Sequence, residues 1–449
     1  MVLASSVWTN LLKGELLVYC YVMIFPLSTR VGGTRSATSA SPPVPSRRAV
    51  VVLVAVLSAL TAVVPLGTDM YVPGFPAMGD ALGASSSAVQ LTMTAYLAGL
   101  VVGQLLIGPI SDKIGRRRLL IGGAAGFAVS SVLCAVAPSV AVLTGARFLQ
   151  GAAGAAGLVL ARAVLADRFH GRELPRYFAV LYQIMSVAPI AAPVLGGATL
   201  SVSTWRAVFI VLTAIGLLLV IGVIRGVPES LPVERRHSGG VASSFRAMGE
   251  LLARRMFIGY ALVLTLVSAA LFTYISGSSF VFESLYGVSS TMYSLIFATN
   301  AAGMLIAGVV FSRLAGRVRL NSLLMAGVGI AALGVVAQVL LVLAVGETLT
   351  GTWVTLFVTL SGVGLLFPAA MSIGHALARN ASGAASALLG GFQFLFGALA
   401  SPLVGLFGAD SSLPMALIML TAVAAAGAAL VALARPWQGH GEPATATGS

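Results

Sequence analysis

From Arg48 onward the chain alternates between long apolar runs and short polar interruptions, and within each run the apolar residues are continuous. Twelve such runs fall near 49–71, 88–110, 119–138, 142–166, 177–199, 205–226, 257–280, 291–313, 320–343, 351–374, 384–407 and 413–434. Each is close to the roughly 20 residues that an α-helix needs to cross a hydrocarbon core of about 30 Å. A transmembrane barrel would instead show segments of about ten residues with alternating polarity, and the runs of Leu, Val, Ala and Gly do not alternate. The pattern predicts an all-α, polytopic membrane protein with twelve transmembrane helices in two pseudo-symmetric six-helix halves. The halves span 49–226 and 257–434, joined by a polar, basic linker at 227–256 and followed by a tail at 435–449.

A weak internal echo supports the two halves. Gly103, Gly108, Lys113 and Arg117 recur 200 positions later as Gly303, Gly308, Arg313 and Arg317. Repeated halves with a substrate path between them are a recurring transporter architecture. Residues 1–48 lie outside the pattern. The apolar run Leu16–Leu27 would make a helix of about 18 Å, too short to span. A cleaved signal peptide there would send Arg47 and Arg48 across the membrane, against the other basic loops, so this stretch is expected to be a disordered extension.

Composition sharpens the picture. Of 449 residues, 58% are hydrophobic and 9% charged, against about a quarter charged in soluble domains, so most of the exterior must face lipid. The net charge of +13 comes from 24 Arg and 2 Lys against 13 acids, a bias that fits a bacterial chain of high genomic GC content. The basic residues are sided. One set of alternating connections holds Arg47, Arg48, Lys113, Arg116, Arg117, Arg118, Arg168, Arg172, Arg176, Arg225, Arg235, Arg236, Arg246, Arg254, Arg255, Arg313, Arg317, Arg319, Arg379 and Arg435, and the other set only Arg206. By the positive-inside rule both termini are cytoplasmic, and the expected location is the bacterial inner membrane. The basic balance therefore implies no nucleic-acid partner. Cys20 and Cys134 suit neither a disulfide framework nor a metal site. The four histidines fall in loops, the tail or a helix end, and no phosphate-binding G-x-x-x-x-G-K-[ST] is present. No catalytic residues, metal or cofactor are expected, and the chain is not read as an enzyme.

Between the second and third runs stands Gly103-Gln104-Leu105-Leu106-Ile107-Gly108-Pro109-Ile110-Ser111-Asp112-Lys113-Ile114-Gly115-Arg116-Arg117-Arg118. Its glycines allow close helix approach and a tight turn, and Asp112 stands among cations. The spacing resembles the G-x-L-x-x-G-P-x-S-D-x-x-G-R-R motif of the major facilitator superfamily. Three further stretches resemble the bicyclomycin/chloramphenicol (Bcr/CflA) drug-resistance branch: Asp69-Met70-Tyr71-Val72-Pro73, Arg147-Phe148-Leu149-Gln150-Gly151 with Arg162 to Asp167, and residues 382–405. The resemblance implies a gating loop at Gly103, Gly108, Asp112, Gly115, Arg116 and Arg117 that locks the outward-open state. It also implies a cytoplasmic charge network that includes Arg162 and Asp167.

Ionisable groups inside a span cost several kcal/mol unless partnered or hydrated, which singles out Asp69 and Arg147 at similar depth in the first and fourth runs. They are expected either to pair or to face a central cavity. There a carboxylate exchanges protons while Arg147, one turn from Gln150, stays charged. Pro189, Pro193, Gly196 and Gly197 in the fifth run resemble the antiporter motif of export-type facilitators, and the two prolines are expected to kink that helix. Tyr71, Tyr96, Gln104, Tyr182, Gln183, Asn300 and Gln393 are candidate pocket residues. Phe272, Phe280, Phe367 and Phe396 are candidate apolar wall, although packing against lipid accounts for them as well. The expected activity is efflux of small molecules or multiple drugs by proton antiport with alternating access. The alternative is export of an endogenous metabolite, or uptake symport, within the same superfamily. The expected partners are a small apolar or weakly basic organic substrate, the proton as coupling ion and the lipid bilayer, with the protein acting as a monomer.

Overall fold

A computed structural model describes residues 47–169, 173–232, 241–315, 317–378, 382–407 and 411–439. The extension at 1–46 and most of the tail lie outside the described residues. Twelve helices are long and apolar enough to cross a membrane, and the described residues contain no strand. Spans 1 to 6 are Arg47–Asp69, Ser86–Ile114, Arg116–Ala135, Val140–Arg168, Glu173–Leu200 and Trp205–Gly226. Spans 7 to 12 are Arg255–Ser279, Ser290–Leu314, Leu320–Ala344, Leu349–Leu377, Ser382–Ala400 and Leu413–Ala429.

The expected positions hold to within a few residues, and three local features add to them. Span 11 crosses as Ala384–Phe407, as expected, but not as one continuous α-helix. Its α-helix stops at Ala400, before Ser401-Pro402, where proline cannot supply the next backbone donor, and a short 3-10 helix follows at Val404–Phe407. Span 1 ends at Asp69, and the chain then makes a 3-10 turn at Val72–Gly74 and a two-turn helix at Phe75–Leu82. The linker holds a helix at Val241–Leu252.

Three of the span starts are capped by serines. Ser85, Ser139 and Ser289 accept from the backbone N–H of Ala88, Val142 and Met292, capping spans 2, 4 and 8. Such caps satisfy a donor that would otherwise be orphaned at a helix end. Apolar side chains cover the outside, with Leu218 67% and Leu333 66% exposed. Exposed leucines on this scale suit lipid and not water.

Spans 2 and 4 touch backbone to backbone. A Cβ on Gly99 would overlap the Phe148 carbonyl, and one on Gly151 the Tyr96 carbonyl. Small residues supply such contacts in membranes, where helix association relies on close packing. The internal echo has a counterpart in this packing. Gly103 of span 2 sits against Ala152 and Ala155 of span 4, and Gly303 of span 8 sits against Phe357 and Ser361 of span 10. Between the two sets of six, span 2 packs on span 11 and span 5 on span 8.

Among the described residues, the ends of spans 2, 4 and 6 converge at one end of this bundle, where Arg116 pairs with Asp167 and Arg168 donates to the Glu229 carbonyl; this is termed the basic end. At the far end the halves meet. The Phe75 and Phe280 rings are 6.0 Å apart, and Gly197 of span 5 seats against Ser290 and Ser294 of span 8.

Candidate functional site

The interior of the first half is organised around Arg147, which is fully buried. One guanidinium nitrogen donates to the Gly67 carbonyl at 2.7 Å, and another donates to Gln150 Oε1. The plane lies over the rings of Tyr71 at 4.0 Å and Tyr96 at 4.2 Å. Gln150 passes the connection on, its Nε2 donating to Ser131 Oγ at 2.6 Å. Tyr71 shares a hydrogen bond with Thr92, and Tyr96 donates to the Val63 and Val64 carbonyls. A desolvated cation over aromatic faces gains about 2 kcal/mol per ring, and the planar guanidinium, which does not deprotonate, suits that position.

Asp69 sits three residues before the first 3-10 turn and is 3% exposed. It is therefore not a cap facing water. Nor does it pair with Arg147, since the ion pairs among the described residues both involve Arg116. Its Oδ1 has no partner among the described residues. The turn that follows it, Val72–Gly74, packs on spans 7 and 8 of the second half, so Asp69 closes span 1 beside the boundary between the halves. Of the two arrangements expected for Asp69 and Arg147, pairing is the one the geometry rejects. The arginine is engaged by a backbone carbonyl and an amide, and the acid is left at the boundary between the halves.

On the second half's side, spans 7 and 8 carry uncharged polar groups. Asn300 is fully buried; its Nδ2 donates to Tyr274 at 3.1 Å, while its Oδ1 lacks a partner. Tyr274 stacks on Phe297 at 5.2 Å, and Tyr293 shares a 2.8 Å hydrogen bond with Ser278. Tyr274 and Tyr293 were legible only as isolated hydroxyls inside apolar runs, the same signal that marks Tyr71 and Tyr96. Gln104 Nε2 and Gln393 Oε1 are also buried without a partner, and Gln104 Oε1 lies beside Gly390 of span 11. Gln183 is exposed, and the Tyr182 side chain lies outside the described residues. Phe272 and Phe280 are buried within the protein. Phe272 packs on Phe394 at 6.0 Å, so lipid does not account for it.

Span 5 stays helical through Pro189 and Pro193, so the two prolines do not end that helix. The following glycines serve close approach. A Cβ on Gly196 would overlap the Met70 carbonyl of the first half, and one on Gly197 the Ser294 hydroxyl of the second.

At the basic end Arg116 is the hub. It pairs with Asp112 at 2.7 Å and Asp167 at 3.3 Å, and it donates to Ser111 Oγ. Asp167 also accepts from Ser230 at 2.9 Å. Gly115 turns the chain with φ at +99°, a conformation that side chains rarely adopt. Gly103 supports the close contact already described, whereas a Cβ on Gly108 would meet nothing within 4 Å. Arg117 donates to the Ile224 carbonyl at 2.7 Å, and Arg162 lies against Met185 Sδ at 4.0 Å.

Sequence reasoning missed Glu229. Its carboxylate accepts from the N–H groups of Arg116, Arg117, Ser230 and Leu231, capping span 3 from a distance. Burial alone would push its pKa up, but those four backbone donors outweigh it and hold Glu229 below the usual carboxylate range. The described partners in this network belong to the first six spans and the linker. In this state the loop therefore ties one half to its linker.

At the far end Glu347 gathers three loops, accepting from Tyr286, Ser411 and Ser412. Glu283 accepts from Ser290, and its other oxygen is buried without a partner.

Comparison with known proteins gives this geometry a family. An uncharacterized MFS-type transporter, YdgK of Bacillus subtilis, is 39% identical over 370 residues, covering 82% of this chain and 92% of that protein. A chloramphenicol resistance protein of Pseudomonas aeruginosa is 30% identical over 405 residues, covering 87% and 92%. A bicyclomycin resistance protein homolog of Haemophilus influenzae is 28% identical over 383 residues, covering 82% and 92%. Among solved structures, an inward-facing bacterial homolog of the human lysosomal transporter Spinster shares the fold, with a TM-score of 0.72 at 15% identity over 90% of this chain and all of that one. With its residues 57–401 matching the family as a whole, and twelve membrane-crossing helices around a buried polar interface, the chain belongs to the major facilitator superfamily of transporters.

Proposed function

We propose that this transporter exports small, apolar or weakly basic organic molecules in exchange for protons, from a bacterial inner membrane with both termini cytoplasmic. The observation that carries the reading is the placement of Asp69. A carboxylate inside the bundle, with one oxygen unpartnered, needs a compensating positive charge, because an isolated buried ion costs several kcal/mol. Arg147 does not provide one by contact. A proton or a cationic substrate each supplies that charge, and only one of them is needed at a time, which is the logic of exchange. Arg147 is a fixed cation that holds Gly67, Gln150 and two tyrosine rings in place, keeping the end of span 1 where Asp69 faces the second half.

Relatives named for resistance to bicyclomycin and chloramphenicol support drug-like substrates, and the tight seats of Gly196 and Gly197 support the export-type reading of span 5. The one-sided arginines support the orientation. The test is transport in everted membrane vesicles with an imposed proton gradient. Substrate accumulation should require an acidic lumen and collapse with a protonophore. Asp69→Asn should abolish proton-driven accumulation while leaving substrate binding measurable. Undiminished gradient-driven uptake by Asp69→Asn would refute the assignment.

A further inference from the structure

Gln90 stands in the first turns of span 2, at the far end, and is fully buried. Both ends of its amide are used, and both reach the other half. Its Nε2 donates to the Ser276 carbonyl of span 7 at 3.2 Å. Its Oε1 accepts from the Gly405 N–H at 2.9 Å, in the short helix beyond span 11. One turn deeper on the same helix, Thr94 donates to the Ala398 carbonyl of span 11 at 2.9 Å. Within the second half, Ser276 Oγ donates to the Ser401 carbonyl at 2.8 Å, so the two elements that Gln90 grips are themselves tied.

The seat is specific. A Cβ on Gly405 would stand 2.6 Å from the Ser87 backbone and 2.8 Å from Gln90 Oε1, so only glycine lets that helix dock. The break of span 11 at Ser401-Pro402 supplies the docking piece.

We propose that Gln90 is a positioning residue for transport: its two-ended amide sets the balance between the closed and the open far end. That balance presupposes the alternation of two halves that this superfamily uses; neither the proton nor the drug-like substrate enters it. When the far end is closed, one side chain satisfies a donor and an acceptor of the partner half. When the halves part, water must replace it. A protein–protein hydrogen bond exchanged for water is worth little on its own. Removing one partner from a buried set costs more, because the groups left behind stay dry. Gln90→Leu would strand the Ser276 carbonyl and the Gly405 N–H in the closed state only, so the open state should gain on the order of tenfold in relative population.

The experiment uses the purified full chain in lipid nanodiscs, with spin labels at Ala81→Cys and Ser284→Cys, two exposed positions at the far-end cleft that Asp80 and Ser284 line. The ratio of long to short label distances is read without substrate and at fixed pH. Gln90→Leu should raise that ratio about tenfold over the unsubstituted pair. Gln90→Glu, which keeps the acceptor for Gly405 but sets a buried carboxylate against the Ser276 carbonyl, should raise the ratio at least as far, and Thr94→Val should shift the ratio in the same direction. A merely structural role would lower the yield of folded protein without moving the ratio in the fraction that folds. If Gln90→Leu does not accumulate, Gln90→Glu and Thr94→Val decide by the same criterion. Ratios within about twofold of the unsubstituted pair in every variant that folds would overturn the proposal. Neither outcome depends on whether Asp69 carries the proton.

Discussion

Two glycines of the same motif should respond in opposite ways to one added methyl group. Gly103 and Gly108 occupy equivalent-looking positions in the loop signature, five residues apart on span 2. A Cβ on Gly103 would stand 2.5 Å from the Ala152 carbonyl oxygen and 2.6 Å from the Ala155 Cβ of span 4. Carbon contacts are comfortable at about 3.5–4.0 Å, so spans 2 and 4 would have to separate by roughly 1 Å. The obstacles are a backbone oxygen and a methyl, neither able to rotate away. Overpacking of this kind costs about 1–3 kcal/mol. A Cβ on Gly108 meets nothing within 4 Å, and Gly→Ala in a helix interior gains about 0.5–1 kcal/mol from reduced backbone freedom. The assay is thermal unfolding in one detergent, following Tm and the monodisperse fraction. Gly103→Ala should lower Tm, and Gly108→Ala should leave it unchanged or raise it. Equal losses of Tm would refute the packing argument. If Gly108→Ala is stable yet fails to transport, its glycine is needed in a conformation other than this one.

Three further outcomes follow from the same contacts. Arg147→Lys keeps the charge but lacks the planar fork that reaches both Gly67 and Gln150; transport should fall at least about tenfold, measured as initial rate at matched expression, and retention of full activity would exclude the stacking role. Glu229→Gln should lower Tm at about pH 7 more than at about pH 4. The carboxylate's folded pKa lies below its usual 4.5, so the stability it contributes is present above that value and is lost as pH falls through the folded pKa. Arg116→Ala removes the pairs to Asp112 and Asp167 and should loosen the Lys113–Arg118 turn, seen as faster proteolysis there than in Arg118→Ala, which leaves both pairs intact.

The number and placement of spans were legible because an apolar run of about 20 residues has few alternatives in a bilayer. Asp69 and Arg147 were legible because a charge inside such a run is costly enough to demand a reason. What each charge touches was not legible. Depth along two helices does not fix their rotation, so the same spacing allowed an Asp69–Arg147 pair or two separate arrangements. Glu229 escaped notice because its partners include backbone N–H groups more than a hundred residues away, and backbone donors leave no sequence signature. Gln90 escaped for a similar reason, since its acceptor and donor are the backbone of Ser276 and Gly405. Glu283 lies just past the end of the seventh apolar run, where a lone acid reads as a boundary residue; the helix instead continues in π form over Phe280–Leu285 and carries it inward.

The two halves share a packing plan but not a chemistry. Gly103 and Gly303 play matching parts against spans 4 and 10, while the buried charges Asp69 and Arg147 both belong to the first half. The second half answers with hydroxyls and an amide: Tyr274, Tyr293 and Asn300. That division has a mechanical consequence. Arg147 and its partners all lie within the first half, so in the proposed alternation they move together and their mutual distances persist. In the same proposed alternation the surroundings of Asp69 change, because spans 7 and 8, on which the neighbouring Val72–Gly74 turn packs, belong to the half that moves. A change of conformation therefore alters the environment of the acid and leaves that of the arginine intact. Coupling between the state of the far end and the occupancy of Asp69 then requires no relay through the bundle. It requires only that the acid stand at the moving boundary, and the engagement of Arg147 by Gly67 is what holds the end of span 1 there.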